Sequence, residues 1–462
     1  MSEAPQFDRK MSDAEGLMWR LEKDPHLSST FAAVTILDRP PDFDRLLSRL
    51  ERAVHVVERL GQRVQPAPVN LTAPTWVPDS NFDLRFHVRH IALPKPGTMR
   101  QLLDLASLIA CDPFDRTRPL WQFVVVDGLR GGKSALIEKL HHTITDGEGS
   151  VKLSLQFLDF ERDAPEPPPI DHAQLDDRPP PTSNESSNDV FRDLMTGGFR
   201  LPLGIVRQVM DLLSDPTGIP DASSAAADTV RGIVNQLGDT EQARSPLWTA
   251  RSLKRQMEVL RAPFADTRAA AKRLGGTLNT AFLTAAAEAA ASYHDKLGSP
   301  VEELRASMAI STRSESSGSN AFSLARMLVP TGKMSIAERF TWIQAAAGAA
   351  RESNSTASLE TLAAVASALP TSLITRLARQ QAQTVDFATS NVRAAPVPLY
   401  VAGAEILQNY AVGPLAGVAF NLTLLSYNHS LDMGVNIDTA AVTEPELLRK
   451  CLEKAFTDLI KS

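Results

Sequence analysis

The stretch from Asp163 to Asp189, DAPEPPPIDHAQLDDRPPPTSNESSND, constrains this chain more than any other. Proline and acidic or small polar residues replace the apolar positions that a packed element needs, so no core can be built there. The chain of 462 residues is therefore expected to divide, since one domain typically takes about 100 to 200 residues. The expected division is a domain at 1–162, a linker at 163–189, a helical connector at 190–244 and a second domain at 245–462.

Both sides of the linker mix helix and strand patterns. Leu46, Leu47, Leu50, Val54, Val57 and Leu60 recur at three and four residues within Asp44 to Leu60, which predicts an amphipathic helix with one face on a sheet. Trp121 to Val126 and Ser134 to His141, joined by the turn-rich DGLRGGK, predict a hairpin. In the connector, Pro202 to Leu213 has helical spacing, whereas Ser223 to Asp228 is small and polar. Further on, Pro263 to Leu297 reads as helix, Gly417 to Tyr427 and Ser430 to Ile437 as strands meeting at Asn428-His429, and Glu444 to Ile460 as a closing helix.

Composition excludes several classes of function. The net charge is −6, with Lys and Arg scattered, so there is no basic stripe of the kind that follows a phosphate backbone. Cys111 and Cys451 stand far apart with no CxxC pair, as suits a reducing cytoplasm. The polar start MSEAPQFDRKMSDAEG carries no apolar secretory core. The most apolar long stretch, Leu359 to Ile374, is broken by Glu360 and Pro370 and falls short of the ~20 residues of a membrane span.

The sharpest chemical signal is His141-His142-Thr143-Ile144-Thr145-Asp146-Gly147. On a strand, adjacent side chains point to opposite faces, so one histidine works and the other supports it. Leu136, Leu140 and His142 share a face, which makes His142 the candidate general base: a neutral imidazole able to accept a proton from a hydroxyl. Asp146 is a candidate for holding the loop or an arginine, and Gly147 for a turn that a side chain would obstruct. Val151, Leu155 and Leu158 predict a helix from about Gly149, whose free N–H groups would favour a developing negative charge. An isolated histidine pair is more often structural; the Asp-Gly context turns the reading toward chemistry. His142 and Asp146 lack a third ligand nearby, so no metal is expected.

HHTITDG resembles the HHxxxDG motif of the CoA-dependent acyltransferases, and DPFDRTRPLW (Asp112 to Trp121) resembles a segment of the bacterial wax ester synthase/diacylglycerol acyltransferase family. Ser390-Asn391-Val392 followed by Pro398 to Ala404, and Asn421, Ser426, Tyr427, Gly434 and Asp438, are similar to that family's later motifs, as are Arg313 and Asn320. Two departures stand out. Asn279-Thr280 replaces Asn-Asp, and Arg393-Ala394-Ala395 replaces Pro-Gly-Pro, which predicts a lost structural contact and an altered tight turn.

The resemblance implies an α/β fold of two chloramphenicol-acetyltransferase-like domains, each a mixed sheet with helices, side by side around a tunnel at their interface. It implies acyl transfer from acyl-CoA, a co-substrate with no resident cofactor, to diacylglycerol or a long-chain alcohol, without an acyl-enzyme. Beside His142, His141, Asp146 and Gly147, it implies substrate contacts by Pro119, Leu120, Trp121, Asn279, Ser390 and Asn391. The alternatives are another specialised alcohol acceptor, or a lipid-binding homologue that has lost activity. A cytoplasmic location is expected, peripheral to the plasma membrane or a lipid-droplet surface if the apolar face of Arg200 to Leu213 lies in the interface.

Overall fold

The computed structural model describes residues 9–66, 73–166, 243–311, 322–353, 363 and 371–462. Most of the proline-rich linker, the connector helix at Pro202 to Leu213, the small polar run Ser223 to Asp228, the segment Arg200 to Leu213, Arg313, Asn320 and most of Leu359 to Ile374 lie outside the described residues.

The strands are β1 (Thr30–Leu37), β2 (Gln62–Gln65), β3 (Thr75–Pro78), β4 (Val88–Ala92), β5 (Trp121–Leu129), β6 (Lys133–His141), β7 (Arg255–Pro263), β8 (Glu303–Ser311), β9 (Phe322–Pro330), β10 (Phe387–Arg393), β11 (Tyr400–Val401), β12 (Ala404–Val412), β13 (Phe420–Tyr427) and β14 (Ser430–Asp438). The helices are α1 (Asp13–Leu21), α2 (Phe43–Val56), α3 (Leu84–His87), α4 (Met99–Cys111), α5 (Gly147–Ser154), α6 (Phe264–Arg273), α7 (Leu278–Lys296), α8 (Ile336–Ser353), α9 (Thr371–Ala382) and α10 (Pro445–Lys461).

Two six-stranded mixed sheets organise the molecule, in the orders β11-β12-β1-β6-β5-β4 and β7-β14-β13-β10-β8-β9. Residues 400–412, late in the chain, thus supply two strands to the first sheet, so the first half of the sequence does not complete its own sheet, whereas the second sheet is drawn entirely from residues 255–438. β12 pairs with β1 in register Ala33↔Ala411, and it is tied to the second sheet where Asn409 N–H donates to Asp432 Oδ2 at 2.8 Å.

Local chemistry accounts for the element boundaries. Ser12 with Glu15, and Thr98 with Gln101, form reciprocal capping boxes that start α1 and α4. The predicted 44–60 helix is α2 followed by a 3-10 turn at Glu58–Gly61; Leu46, Leu50, Val57 and Leu60 are buried in one cluster with Trp121, Phe123, Leu136 and Leu140 of the sheet. Gly131 and Gly132, at φ 87° and 71°, close the β5–β6 hairpin, and Asn428 and His429, at 39° and 64°, close β13–β14 without glycine. Asparagine tolerates that left-handed region, which is why the Asn-His pair can replace a glycine turn.

The altered run after Val392 forms no tight turn. Ala394 N–H donates to Ser426 O at 3.0 Å and Asn428 N–H to Ala395 O at 3.1 Å, so the segment continues extended beside β13, where alanine serves. Thr280 lies in the first turn of α7, its N–H taken by Thr277 Oγ1 at 3.2 Å and its hydroxyl 3.0 Å from that same oxygen.

Candidate active site

The face of β6 that holds Ala135 and Ile137 packs in one cluster with α4 and Met257 of β7, whereas on the opposite face Leu136 and Leu140 pack with α2, and Glu138 and His142 line a cavity. Between the sheets lies a cavity of about 440 Å³, within the ordinary range for a small-molecule site. The β6–β1–β12 register sets its floor: Leu140 faces Phe31, and Glu138 faces Ala33, which faces Ala411. Its walls come from α1, α5, α9, β10 and β13, through residues such as Leu17, Val151, Ala382, Asn391 and Leu425.

The two histidines divide as their alternation requires. β6 ends at His141, which is fully buried and away from the cavity. Thr143 N–H donates to His141 Nδ1 at 3.2 Å, which leaves the proton on Nε2, and this N–H donates to Glu22 Oε2 at 3.0 Å. Burial pushes the Glu22 carboxyl up, but hydrogen bonds from His141, Ser28 and Ser29 outweigh it, so the group titrates below the usual range. Glu22 therefore holds His141 as a charged acceptor.

His142 faces the cavity. Its backbone N–H donates to Ser29 O at 3.1 Å, and its ring packs at 4.7 Å, centroid to centroid, on Phe31. Burial, with the neighbouring His141 adding to it, lowers its pKa to about 4, against smaller opposing effects of Asp146, Glu22 and a hydrogen bond with the Thr145 backbone. The ring is therefore neutral throughout the physiological range.

Asp146 and Gly147 act together as the start of α5. Asp146 Oδ1 accepts from Gly149 N–H at 2.8 Å, so the aspartate is the helix N-cap and the helix begins two residues earlier than periodicity predicts. A capping aspartate anchors the loop after His142 and leaves the first turn of α5 at the cavity wall. Gly147 is not in the left-handed region; its reason is a close approach, since a Cβ there would stand 2.9 Å from Val392 Cγ2 of β10.

The residues expected from motif similarity separate into three groups. Ser390 and Asn391 line the cavity. Asn279 stands behind the wall, its Oδ1 accepting from Asn391 Nδ2 at 3.3 Å. Pro119, Leu120 and Trp121 do not line the cavity, which corrects their expected substrate contact. They are buried, Trp121 Nε1 donates to Leu60 O at 2.8 Å, and its indole stacks on His87 at 4.6 Å. Their place is to fix β5 and thereby β6.

Sequence reasoning missed Glu22 and Glu138. Glu22 lies more than a hundred residues before its partner, so no local spacing reveals it. Glu138 does carry a signal, an acidic residue at an inward position of a strand rich in leucine and isoleucine, on the face of His142. Among the described residues, no group of three His, Cys, Asp or Glu is placed to hold a metal ion, and no helix is long and apolar enough to cross a membrane.

Comparison with known proteins places this arrangement. Residues 11–282 match the wax ester synthase/diacylglycerol acyltransferase catalytic domain, and residues 318–460 match the C-terminal domain of the same family. A Mycobacterium tuberculosis protein, provisionally named a diacylglycerol O-acyltransferase, is 33% identical over 468 residues, covering 99% of this chain and 93% of its own. A second from that species, tgs1, named likewise, is 28% identical with 96% and 94% covered. The wax ester synthase/diacylglycerol acyltransferase of Marinobacter aquaeolei VT8 shares the fold at a TM-score of 0.67 and 23% identity, over 97% of this chain and 98% of that one. The first condensation domain of the calcium-dependent antibiotic synthetase shares it at 0.59 and 14% identity, over 98% and 95%.

Proposed function

Since the chain belongs to the wax ester synthase/diacylglycerol acyltransferase family, we propose that it moves the acyl group of an acyl-CoA directly onto the hydroxyl of diacylglycerol, and of long-chain alcohols as a second acceptor class. The observation that carries this reading is His142, a neutral imidazole on the wall of a cavity between two sheets, with the buried His141, held by Glu22, behind it.

His142 takes the proton of the acceptor hydroxyl as its oxygen attacks the thioester carbonyl, forming the C–O bond and a tetrahedral oxyanion. Collapse of that intermediate breaks the C–S bond, and the imidazolium returns its proton to the departing CoA thiolate. The start of α5, adjacent to His142, supplies N–H dipoles toward the oxyanion. A base with a pKa of about 4 is weak in the resting site, so proton transfer gains from the oxyanion formed in the same step, whose charge offsets the imidazolium. Holding both substrates in the cavity supplies the remaining rate.

Acyl-CoA and acceptor pairs, with ester read by mass spectrometry, test the proposal. Ester from diacylglycerol is expected, with a loss of about 10² to 10⁴-fold for His142→Ala at unchanged fold. Because the free ring is already neutral, kcat/KM should show no fall near pH 6.5 and should drop only toward pH 4. Near-normal turnover by His142→Ala would remove the assigned base. Diacylglycerol resides in bilayers, which supports contact with the cytoplasmic membrane surface. Cosedimentation with diacylglycerol-containing liposomes checks that contact, and protein left in the supernatant would refute it.

A further inference from the structure

Four residues before His142 on β6, Glu138 is buried and lines the same cavity. In register it lies between Phe123 of β5 and Ala33 of β1, and Ala411 of β12 follows Ala33 in that row. Phe123 is sealed in the core, whereas Ala33 and Ala411 line the cavity. Their small side chains leave open space over the sheet at the carboxyl's level. Above the row, α5 brings Ser150 and Ser154 to the cavity.

A cavity built only for hydrocarbon has no use for a carboxyl. Burying one without full hydrogen bonding costs several kcal/mol, and here burial drives its pKa up to about 7 against the bond with Ser154. The Ser154 oxygen also lies 2.9 Å from Ser150 O, to which it donates, so its single hydrogen is shared. A carboxyl has roughly four acceptor positions, and one shared hydroxyl leaves capacity directed at the cavity.

We infer that Glu138 is a specificity-determining residue that receives a hydroxyl carried on the substrate chain itself, well beyond the reacting carbon. Four strand residues at about 3.3 Å each set the spacing at about 13 Å from His142, the reach of about ten extended carbon–carbon bonds. The preferred chain is thus a mid-chain or terminally hydroxylated long-chain compound, in either the acyl-CoA or the acceptor. The inference rests on the acyltransferase reading for the reaction, though not for the binding.

Two arms separate the sources. The first compares 12-hydroxyoctadecanoyl-CoA with octadecanoyl-CoA, both with hexadecanol. The second compares dodecane-1,12-diol with dodecanol, both with hexadecanoyl-CoA. The wild-type protein is expected to favour the hydroxylated member of one arm by about tenfold in kcat/KM, the worth of one hydrogen bond to a carboxyl. Glu138→Leu should abolish that preference and raise kcat/KM for the plain chain, and Glu138→Gln should retain part of it. If Glu138→Leu melts below the assay temperature, the glutamine variant decides: a ratio equal to wild type in both arms overturns the inference.

Calorimetry of the same compounds on His142→Ala protein, with and without Glu138→Leu, keeps the two readings distinguishable. Absence of any ester together with Glu138-dependent preferential binding would sink the acyltransferase reading and keep this one. Efficient esterification with no discrimination in either arm would do the reverse, and neither ester nor preference would overturn both.

Discussion

The two sheets repeat one pattern of pairing and end it differently. β1, β6, β5 and β4 pair antiparallel, antiparallel and parallel, and β7, β14, β13 and β10 do the same. In the first, β6 ends at His141, paired with Thr30, and an eight-residue helix begins six residues on. In the second, β14 ends at Asp438, paired with Arg255, and the 17-residue α10 follows. Asp438 is buried and spends its carboxyl on the loop: it accepts from Ser252 N–H and Oγ at 2.6 Å each, from Ala440 N–H at 3.0 Å, and pairs with Arg255 at 3.3 Å. Equivalent strand ends thus became a pinned corner in one sheet and a working edge in the other. The difference lies in what the strand end meets: Asp438 is bonded into its own loop, whereas the residue after His141 lines an open cavity.

The largest expected effect breaks the pinned corner. Asp438→Ala leaves Arg255 without its buried carboxylate and should cost about 3 to 5 kcal/mol of stability, read as a shift in denaturation midpoint. Because the change sits in the second sheet, the acyl-CoA discrimination of the protein that remains folded should equal that of wild type. A variant as stable as wild type would show that the corner is not pinned by this pair.

Glu138 gives the next effect, and its sign follows from linkage. Its folded pKa of about 7 lies above its value of 4.5 as a free side chain, so the folded state holds a proton that the unfolded chain releases between those values. The resulting stability is fully present below pH 4.5 and is lost as pH rises through 7. Glu138→Gln should remove that slope, worth about 2 to 3 kcal/mol between pH 5 and pH 8. Parallel wild-type and variant curves across that interval would show that the carboxyl titrates normally.

These contrasts also show what was legible in the sequence. The β5–β6 hairpin, the α2 stripe and the β13–β14 pair follow from short-range periodicity and turn chemistry, because each is specified by residues within about twenty of one another. The opposite facing of His141 and His142 follows from strand alternation, and the cavity on the His142 side agrees with it. The insertion of β11 and β12 into the first sheet does not, since pairing Ala33 with Ala411 joins segments that no local pattern relates. Glu22 was hidden for the same reason. Trp121 misled in the other direction: motif similarity marked it beside the chemistry, whereas its indole and carbonyl serve Leu60 and His87 inside the core.

A smaller effect sharpens the working edge. Glu22→Gln keeps a hydrogen-bond acceptor for His141 Nε2 but removes the negative charge that helps raise the basicity of His142. It should lower kcat by about tenfold with KM little changed, as expected of a positioning residue whose contribution is about one hydrogen bond to a charged group. The low-pH limb of kcat/KM should move further down. A fall in kcat with no movement of that limb would assign Glu22 a purely structural place.

The smallest effect concerns the close approach of α5 of the first half to β10 of the second. Adding a Cβ at Gly147 brings it to 2.9 Å from Val392 Cγ2, and a β-branched side chain has little rotamer freedom with which to retreat. Gly147→Ala should therefore push the start of α5 off β10 by a few tenths of an ångström, costing about 1 kcal/mol and lowering kcat severalfold. Val392→Ala removes the obstructing methyls, so the double variant should recover turnover relative to Gly147→Ala alone, a coupling that independent sites would not show. Additive losses in that cycle would mean that the glycine is needed for the helix start itself. The contact between the sheets would then be incidental to where the N–H dipoles of α5 point.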